Sequence, residues 1–146
     1  MKMRFQQLKI AFVLCFLQIV EANAQTQPIA IIEHVKKLAL LKATTDECLV
    51  SSDFKKSSDD FQRKVVNISN KIDYMTNDLH EMKQNKLLYI AYNFTLEKYK
   101  KSTDFRKNLL KRSGNYCDSK LVTEVESNVK RIELSVVPYI ARCQKK

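Results

Sequence analysis

Cysteine is the residue type with the most chemistry to offer in this 146-residue chain, and it occurs at Cys15, Cys48, Cys117 and Cys143. No two of these positions have the CxxC spacing that is typical of zinc sites and redox-active pairs. Cys15 falls within an N-terminal segment that we expect to be removed, so three cysteines remain. This odd number predicts one disulfide and one leftover thiol rather than a metal site.

Histidine could supply acid–base or metal chemistry, but His34 and His80 belong to no HExxH or other ligand pattern. His80 lies close to Asp78 and Glu81, as expected on a solvent-exposed face. The chain contains a single glycine, which excludes the P-loop, GxGxxG and GxSxG motifs. We therefore expect a protein that is not an enzyme and that carries neither a metal ion nor a cofactor.

Two asparagines match the acceptor pattern for N-linked glycans, Asn67 in NIS and Asn93 in NFT. Both fall on the polar faces of the helices predicted below, where a bulky glycan can extend into solvent. We therefore predict that Asn67 and Asn93 are N-glycosylation sites of a secreted protein.

The N-terminal segment has the three parts of a secretory signal peptide. A basic stretch precedes the apolar run IAFVLCFLQIV, and Ala22 and Ala24 form an A-x-A cleavage site. The run is too short to span a bilayer, which requires about 20 apolar residues. The sequence predicts residues 1–24 as the signal peptide and residues 25–146 as a single secreted helical domain without a transmembrane segment.

The mature chain is strongly basic. Removal of residues 1–24 takes away three basic residues and one acidic residue, so the formal charge falls from +10 to +8. This excess favours anionic partners, such as sulfated glycans, acidic lipid headgroups or acidic proteins. Nucleic acid is not an expected partner, because a secreted protein rarely meets it.

The clearest secondary-structure signal is an apolar seam over residues 58–82. Its members recur at alternating gaps of four and three residues, which is the heptad pattern of an α-helix. They are Phe61, Val65, Ile68, Ile72, Met75, Leu79 and Met82. Ser57 or Ser58 can cap the start of this helix. The pattern breaks at residues 83–86, where we predict a turn.

Residues 86–112 fit a second long helix, with a wide apolar arc that includes Leu87 and Phe94 and suits contact with two neighbouring helices. Gly114, the only glycine, lies where a left-handed C-terminal cap is expected.

The last predicted helix spans residues 118–142, with Asp118 or Ser119 as its cap and Pro138 expected to kink or end it. The N-terminal region is also helical, and the capping-box spacing of Thr44 and Glu47 indicates a short separate helix that begins near residue 45.

These segments predict an all-α fold, an antiparallel up-down bundle of about four helices. The alternative is one continuous helix over residues 58–112 with shorter helices packed on it, because no glycine or proline enforces the turn. The up-down bundle places Cys48 and Cys117 at the same end, and a bridge between them is worth about 4 kcal/mol of stability. The continuous helix would separate them and favour a Cys48–Cys143 disulfide instead.

Cys143 is the leftover thiol in the first of these topologies. It lies on the apolar face of the last helix with Tyr139, which favours a buried, unreactive side chain. Its alternative is a bridge between two chains. We expect a monomer rather than a disulfide-linked dimer.

A signal peptide followed by a Lys- and Asn-rich helical chain with few cysteines resembles the small proteins of insect body fluids or glandular secretions. This resemblance rests on composition and supplies no site residues. Together with the charge, it indicates a secreted, non-enzymatic interaction protein whose basic helical surface engages an extracellular protein, an anionic glycan or a cell surface. The densest basic cluster ends in Lys107, Lys111 and Arg112, which are the predicted contacts.

Two other functions are compatible with a helical bundle. A carrier would hold a small apolar ligand between its helices, which the wide apolar arc over residues 87–110 allows. A four-helix cytokine-like signalling protein is the third hypothesis, although such bundles usually have long crossover connections.

Overall fold

A computed structural model of the chain describes residues 30–81 and 86–144, apart from the side chains of residues 81, 143 and 144. The predicted signal peptide and most of the predicted turn at residues 83–86 lie outside the described residues. Residues 32–146 belong to one compact unit, and residues 30 and 31 belong to an N-terminal unit.

The described part of the chain is entirely helical, without a strand, so the prediction of an all-α fold is confirmed. Its helices are α1 (residues 30–50), α2 (Ser52–Lys56), α3 (Asp59–Glu81), α4 (Lys86–Lys101), α5 (Thr103–Ser113) and α6 (Ser119–Gln144).

Ion pairs between helices show that α3 and α6 run parallel. Lys64 contacts Glu126 with an N–O distance of 3.0 Å, and Lys71 contacts Glu133 at 2.7 Å. The second pair lies the same number of residues further along both helices as the first. This is the relation expected between the second and fourth helices of an up-down bundle.

Side chains on α3 and α4 show that these two helices fold back on each other. The rings of His80 and Tyr89 meet edge to face with their centroids 4.6 Å apart, and Thr76 shares a side-chain hydrogen bond with Tyr92. In one continuous helix over residues 58–112, His80 and Tyr89 would lie about 14 Å apart along the axis. The continuous-helix alternative is therefore wrong.

The predicted helix over residues 86–112 is two helices, α4 and α5, which separate at Ser102. The backbone of Ser102 is extended, with φ −85° and ψ 112°, and its hydroxyl accepts a hydrogen bond from the Phe105 amide at 3.1 Å. Serine at an N-cap stabilises a new helix start by satisfying an amide that has no partner in the helix. With α2, this break raises the number of described helices from the predicted four to six.

The connection between α5 and α6 has the predicted caps. Gly114 has φ 75°, a left-handed conformation that glycine adopts readily, and its amide donates to the Leu110 carbonyl at 2.8 Å. The Asp118 carboxylate accepts hydrogen bonds from the amides of Lys120 and Leu121 at 3.0 and 3.3 Å. Both caps were predicted from the residues alone, and both are confirmed.

Pro138 does not end α6, which continues to Gln144. A proline inside a helix leaves the carbonyl four residues earlier without its usual amide donor, and here that carbonyl belongs to Leu134. Leu134 is 79% exposed and Pro138 is also exposed, so water can hydrogen-bond to this carbonyl. The missing hydrogen bond therefore costs less here than it would in the core.

The core is built from the predicted apolar faces of α3 and α6. The seam residues Val65, Ile68, Ile72, Met75 and Leu79 are all buried on α3. Their counterparts on α6 are Leu121, Val122, Val125, Val129, Ile132, Val136 and Ile140. The apolar faces that the sequence predicts for these two helices are therefore the faces that lie in the core.

Candidate functional site

A disulfide joins Cys48 near the end of α1 to Cys117 in the turn before α6, and both cysteines are buried. Their Cα atoms are 4.5 Å apart, and 69 positions separate them along the chain. The topology-based prediction of this pair is confirmed, and the alternative Cys48–Cys143 bridge is not formed. An intramolecular disulfide is consistent with an oxidising environment. The side chain of Cys143 lies outside the described residues, so its predicted burial stays a prediction.

Ion pairs near this disulfide fasten α5 at both ends. Arg106 Nε donates to Glu47 Oε1 on α1 at 2.7 Å, and this hydrogen bond raises the pKa of the Arg106 guanidinium above its usual value. Near the other end, Arg112 Nη2 lies 3.3 Å from both carboxylate oxygens of Glu124 on α6. The two arginines therefore hold α5 against its neighbours.

The outward face of α5 carries the predicted anion contacts. Lys107 and Lys111 lie one turn apart and are exposed, and neither has a carboxylate within salt-bridge distance in the described part of the chain. Arg112 is also exposed, but Glu124 already neutralises it. The structure thus brings the three predicted residues onto one short helix and leaves two of them unpaired. Whether they bind an anion stays a prediction.

A second basic cluster, which we call the α3 cluster, consists of Arg63, Lys64 and Lys71, and each of these side chains is paired with a carboxylate. Arg63 pairs with Asp60, and Lys64 pairs with Glu126 on α6. The pKa of the Glu126 carboxyl is below its usual value because it accepts hydrogen bonds from Lys64 and then from Lys130. This cluster lines an open groove of about 400 Å³ between α3 and α6.

The predicted glycosylation site Asn67 lies in this charged groove and is exposed. Asn93, the second predicted site, is half-buried on α4. The structure therefore places the two asparagines in different surroundings. The presence of a glycan on either one stays a prediction.

A polar cluster between α1, α3 and α4 was not predicted. The Lys42 ammonium on α1 lies 2.9 Å from Ser69 Oγ, 2.9 Å from Asp73 Oδ1 and 3.2 Å from Asp46 Oδ1. Only 14% of the Lys42 side chain is exposed. Lys100 on α4 completes the cluster through Asp46 at 3.7 Å. The sequence signal was a lysine within the apolar run LALLKA, but its partners are distant along the chain.

Tyr92 on α4 is buried beside this cluster. Burial raises the pKa of its hydroxyl above the usual value, and the nearby negative charge of Asp73 raises it further. Thr76 on α3 shares a side-chain hydrogen bond with Tyr92. Every charged group here has a partner, so the arrangement indicates a structural cluster that fixes α1, α3 and α4 in register.

The solvent side of α4 carries three large exposed apolar residues, which we call the α4 apolar stripe: Leu87 (73% exposed), Ile90 (57%) and Phe94 (74%). The core face of the helix is instead formed by Leu88, Tyr92 and Leu96. The expectation that the whole wide arc of this helix packs against neighbours is therefore wrong for Leu87 and Phe94.

The described residues contain two further cavities of interest. An open groove of about 640 Å³ lies between α1 and α4, lined by Glu33, His34, Lys36, Lys37, Leu40, Phe94, Thr95, Lys98 and Tyr99. In the core, a void of about 10 Å³ lies beside the disulfide, lined by Thr44, Thr45, Cys48, Val65, Ile68, Leu121, Val122 and Val125. The core void has room for at most one water molecule.

No described helix is long and apolar enough to cross a membrane. Within residues 30–81 and 86–144, no three potential metal ligands cluster together. The histidines show no such grouping either, since His80 stacks against Tyr89 and His34 lines the α1–α4 groove. Comparison with protein-family models, with curated proteins and with solved structures finds no match to this chain.

Proposed function

We propose that this chain is a secreted, non-enzymatic binding protein that engages an anionic extracellular partner through the outward face of α5. The observation that carries this proposal is the pair of exposed lysines, Lys107 and Lys111, which have no carboxylate partner among the described residues. Sulfated glycans are the partner chemistry that suits them best, because a repeating anionic chain can contact lysines one turn apart.

The helix that presents these lysines is held in place before any partner arrives. Arg106 and Arg112 pair with carboxylates on α1 and α6, and Gly114 caps the C-terminal end. The disulfide fixes the following turn to α1. A rigid surface loses less conformational entropy on binding, which favours affinity.

The net charge supports the same conclusion. The expected mature chain carries a formal charge of +8, which accelerates encounters with anionic surfaces at low ionic strength. The α3 cluster contributes less to such binding, because carboxylates already pair with Arg63, Lys64 and Lys71. Free lysines on one helix face, rather than total charge, should therefore determine where the partner binds. Lys107 and Lys111 share a face of α5 because they are four residues apart, whereas adjacent lysines on a helix do not.

The carrier hypothesis has less support. Ligand pockets usually enclose about 300–1,000 Å³. The core void beside the disulfide is about 10 Å³, and the α1–α4 groove of about 640 Å³ is open to solvent rather than enclosed. Val65 and Val125, which line that void, are both buried, and the space between the lining residues is too small for an apolar ligand.

Heparin affinity chromatography tests the proposal. The double variant K107S/K111S should elute at a clearly lower salt concentration than the unaltered protein. The matched control is K55S/K56S, which removes the same charge from two exposed lysines of α2 that also have no carboxylate partner in the described part of the chain. An equal shift in both double variants would indicate unspecific charge attraction and would contradict a site on α5.

A further inference from the structure

We propose that an N-linked glycan on Asn93 covers the α4 apolar stripe and keeps the protein from self-associating. The inference rests on the proposed secretion, because N-linked glycans belong to secreted proteins. The proposed role belongs to the glycan on Asn93 alone, and a glycan on Asn67 is not expected to share it. The modified group is the Asn93 side-chain amide, and the surface it would cover is formed by Leu87, Ile90 and Phe94.

The three residues of the stripe lie together on one face of α4 rather than singly. Single exposed apolar residues are common and need no explanation, but a contiguous row of them marks a surface that something covers. Leu87, Ile90 and Phe94 follow the i, i+3, i+7 spacing of one helix face, so they form a row about 10 Å long. This length is comparable to that of the two N-acetylglucosamine rings that begin an N-linked glycan.

The position of Asn93 on the helix matches this role. At 100° per residue, Asn93 lies about 60° around α4 from Ile90, on the flank of the stripe. Side chains of an α-helix lean toward its N-terminus and cover the preceding turn. A glycan on Asn93 would therefore extend over Ile90 toward Leu87. The C–H faces of its sugar rings can pack against these side chains while the hydroxyl groups face water.

Two other occupants fit the stripe less well. A second copy of the chain would need about 800 Å² of each partner for a specific, stable dimer. Three side chains in a row do not supply this area, so uncovered stripes would associate only in mixed, concentration-dependent oligomers. An anionic bilayer would be attracted by Lys86 and Lys98 near the two ends of the stripe, which have no carboxylate partner in the described ranges. However, the exposed Glu97 lies one turn beyond Phe94 on the same side of α4, and its negative charge would oppose such binding.

Asn67 provides an internal comparison. Its neighbours one turn away on α3 are Arg63, Lys64 and Lys71, and it lies in the charged groove between α3 and α6. A glycan there would cover ion pairs rather than apolar side chains. Its removal should therefore leave the tendency to self-associate unchanged, although both changes delete one glycan of the same kind.

The test uses the full chain secreted from a eukaryotic host. Glycan occupancy at each asparagine is measured by mass spectrometry of peptides after enzymatic deglycosylation. The variants are T95A, which destroys the Asn93 sequon but keeps the asparagine, T95S, which preserves the sequon, and N67Q. Self-association is followed by size-exclusion chromatography with light scattering, and apolar exposure by fluorescence of the dye 1-anilinonaphthalene-8-sulfonate. Circular dichroism verifies that each variant is folded.

We expect Asn93 to be occupied in most secreted chains. T95A should bind more dye and should shift from monomer to mixed oligomers as its concentration rises, whereas T95S and N67Q should behave like the unaltered protein. The additional changes L87S and F94S should restore the monomer to T95A. Should T95A fail to be secreted, enzymatic removal of the glycan from the folded protein must give the same loss of monomer.

Three results would overturn the inference. The first is an unoccupied Asn93 beside an occupied Asn67, which would leave secretion and the proposed function standing. The second is a T95A variant that stays monomeric and binds no extra dye. The third is a glycosylated dimer, or binding to anionic phospholipid vesicles, that the L87S/F94S change abolishes. A chain that is not exported at all would contradict the proposed secretion itself.

Discussion

The neighbouring helices α4 and α5 differ in what they show to solvent, although only Ser102 separates them. α5 exposes Lys107 and Lys111 and buries Leu109, so its outer face is charged and its inner face is apolar. α4 buries apolar residues on one side and exposes the α4 apolar stripe on the other. Residues 86–112 therefore form two different solvent-exposed surfaces, an apolar one on α4 and a charged one on α5.

The two helices also differ in how they are attached. α5 is fixed by two arginine ion pairs at the surface and by the buried disulfide that follows it. α4 is fixed from within, through Tyr92 and through Lys100 at the edge of the Lys42 cluster. The comparison predicts that changes at the disulfide act mainly on α5, and that changes at Lys42 or Tyr92 act mainly on α4.

The largest effect should come from removing the disulfide. The double variant C48A/C117A should lose about 4 kcal/mol of unfolding free energy, because the unfolded chain regains the entropy of an open loop. Urea denaturation measures the loss, and hydrogen exchange should show faster opening of α5 than of α4. Reduction of the unaltered protein is the matched control and should give the same shift. An equal increase in the hydrogen-exchange rates of α4 and α5 would contradict the prediction that the disulfide acts mainly on α5.

The second-largest loss of stability should come from disrupting the Lys42 cluster. Lys42→Ala removes the cation that Asp46 and Asp73 share, so we expect a loss of about 2 kcal/mol, the cost of partly buried groups left without a partner. Lys37→Ala on the same helix is the control, since Lys37 is exposed and has no ion pair among the described residues. Denaturation midpoints that move equally for the two variants would show that the cluster does not anchor α1.

The raised pKa of Tyr92 predicts that the folded protein becomes less stable at alkaline pH. Its pKa is raised in the folded protein, so folded Tyr92 stays protonated while the unfolded tyrosine ionises near its ordinary value of about 10. Stability should be unaffected by this group below pH 10. Above it, stability should fall by at most about 1.4 kcal/mol per pH unit.

Thermal unfolding between pH 8 and pH 12 tests this dependence. The variant Y92F cannot ionise and should have a flatter profile above pH 10, although it is less stable throughout. Tyr74→Phe is the control, because Tyr74 is 68% exposed. Identical profiles for Y92F and the unaltered protein would contradict the prediction.

The smallest effect should come from the Ser102 cap, which separates α4 from α5. Ser102→Ala removes the cap of α5 and should cost about 1 kcal/mol. Ser58→Ala provides a comparison, because Ser58 accepts a longer hydrogen bond of 3.4 Å from the Phe61 amide at the start of α3. Differential scanning calorimetry of the two variants measures the difference. A smaller loss for S102A than for S58A would mean that the α4–α5 break does not depend on this cap.

Local signals explain which parts of the fold could be predicted. The seam of α3 and the caps at Gly114 and Asp118 depend on residues within a turn or two of each other. Such local patterns can be recognised in the sequence alone. The disulfide followed from topology, since an up-down bundle brings Cys48 and Cys117 to one end.

The remaining features depend on distant residues or on competing local patterns. The capping-box spacing of Thr44 and Glu47 predicted a helix start that does not form, because α1 is continuous and the Thr44 hydroxyl instead donates to the Leu40 carbonyl. On α4, the wide apolar arc did not indicate which of its residues face the core, and the packing of the helices selects Leu88 and Leu96. The partners of Lys42 lie on other helices or further along α1, and no sequence period identifies them.

The Cys48–Cys117 bond has a consequence for survival in fluids that contain proteases. It closes a covalent ring that includes α2, α3, α4 and α5, and with them Asn67 and Asn93. A single cut between these two cysteines would open the ring without releasing a fragment. The nicked molecule would keep both sequons and the α5 lysines attached to α6, and its two pieces would separate on a gel only after reduction.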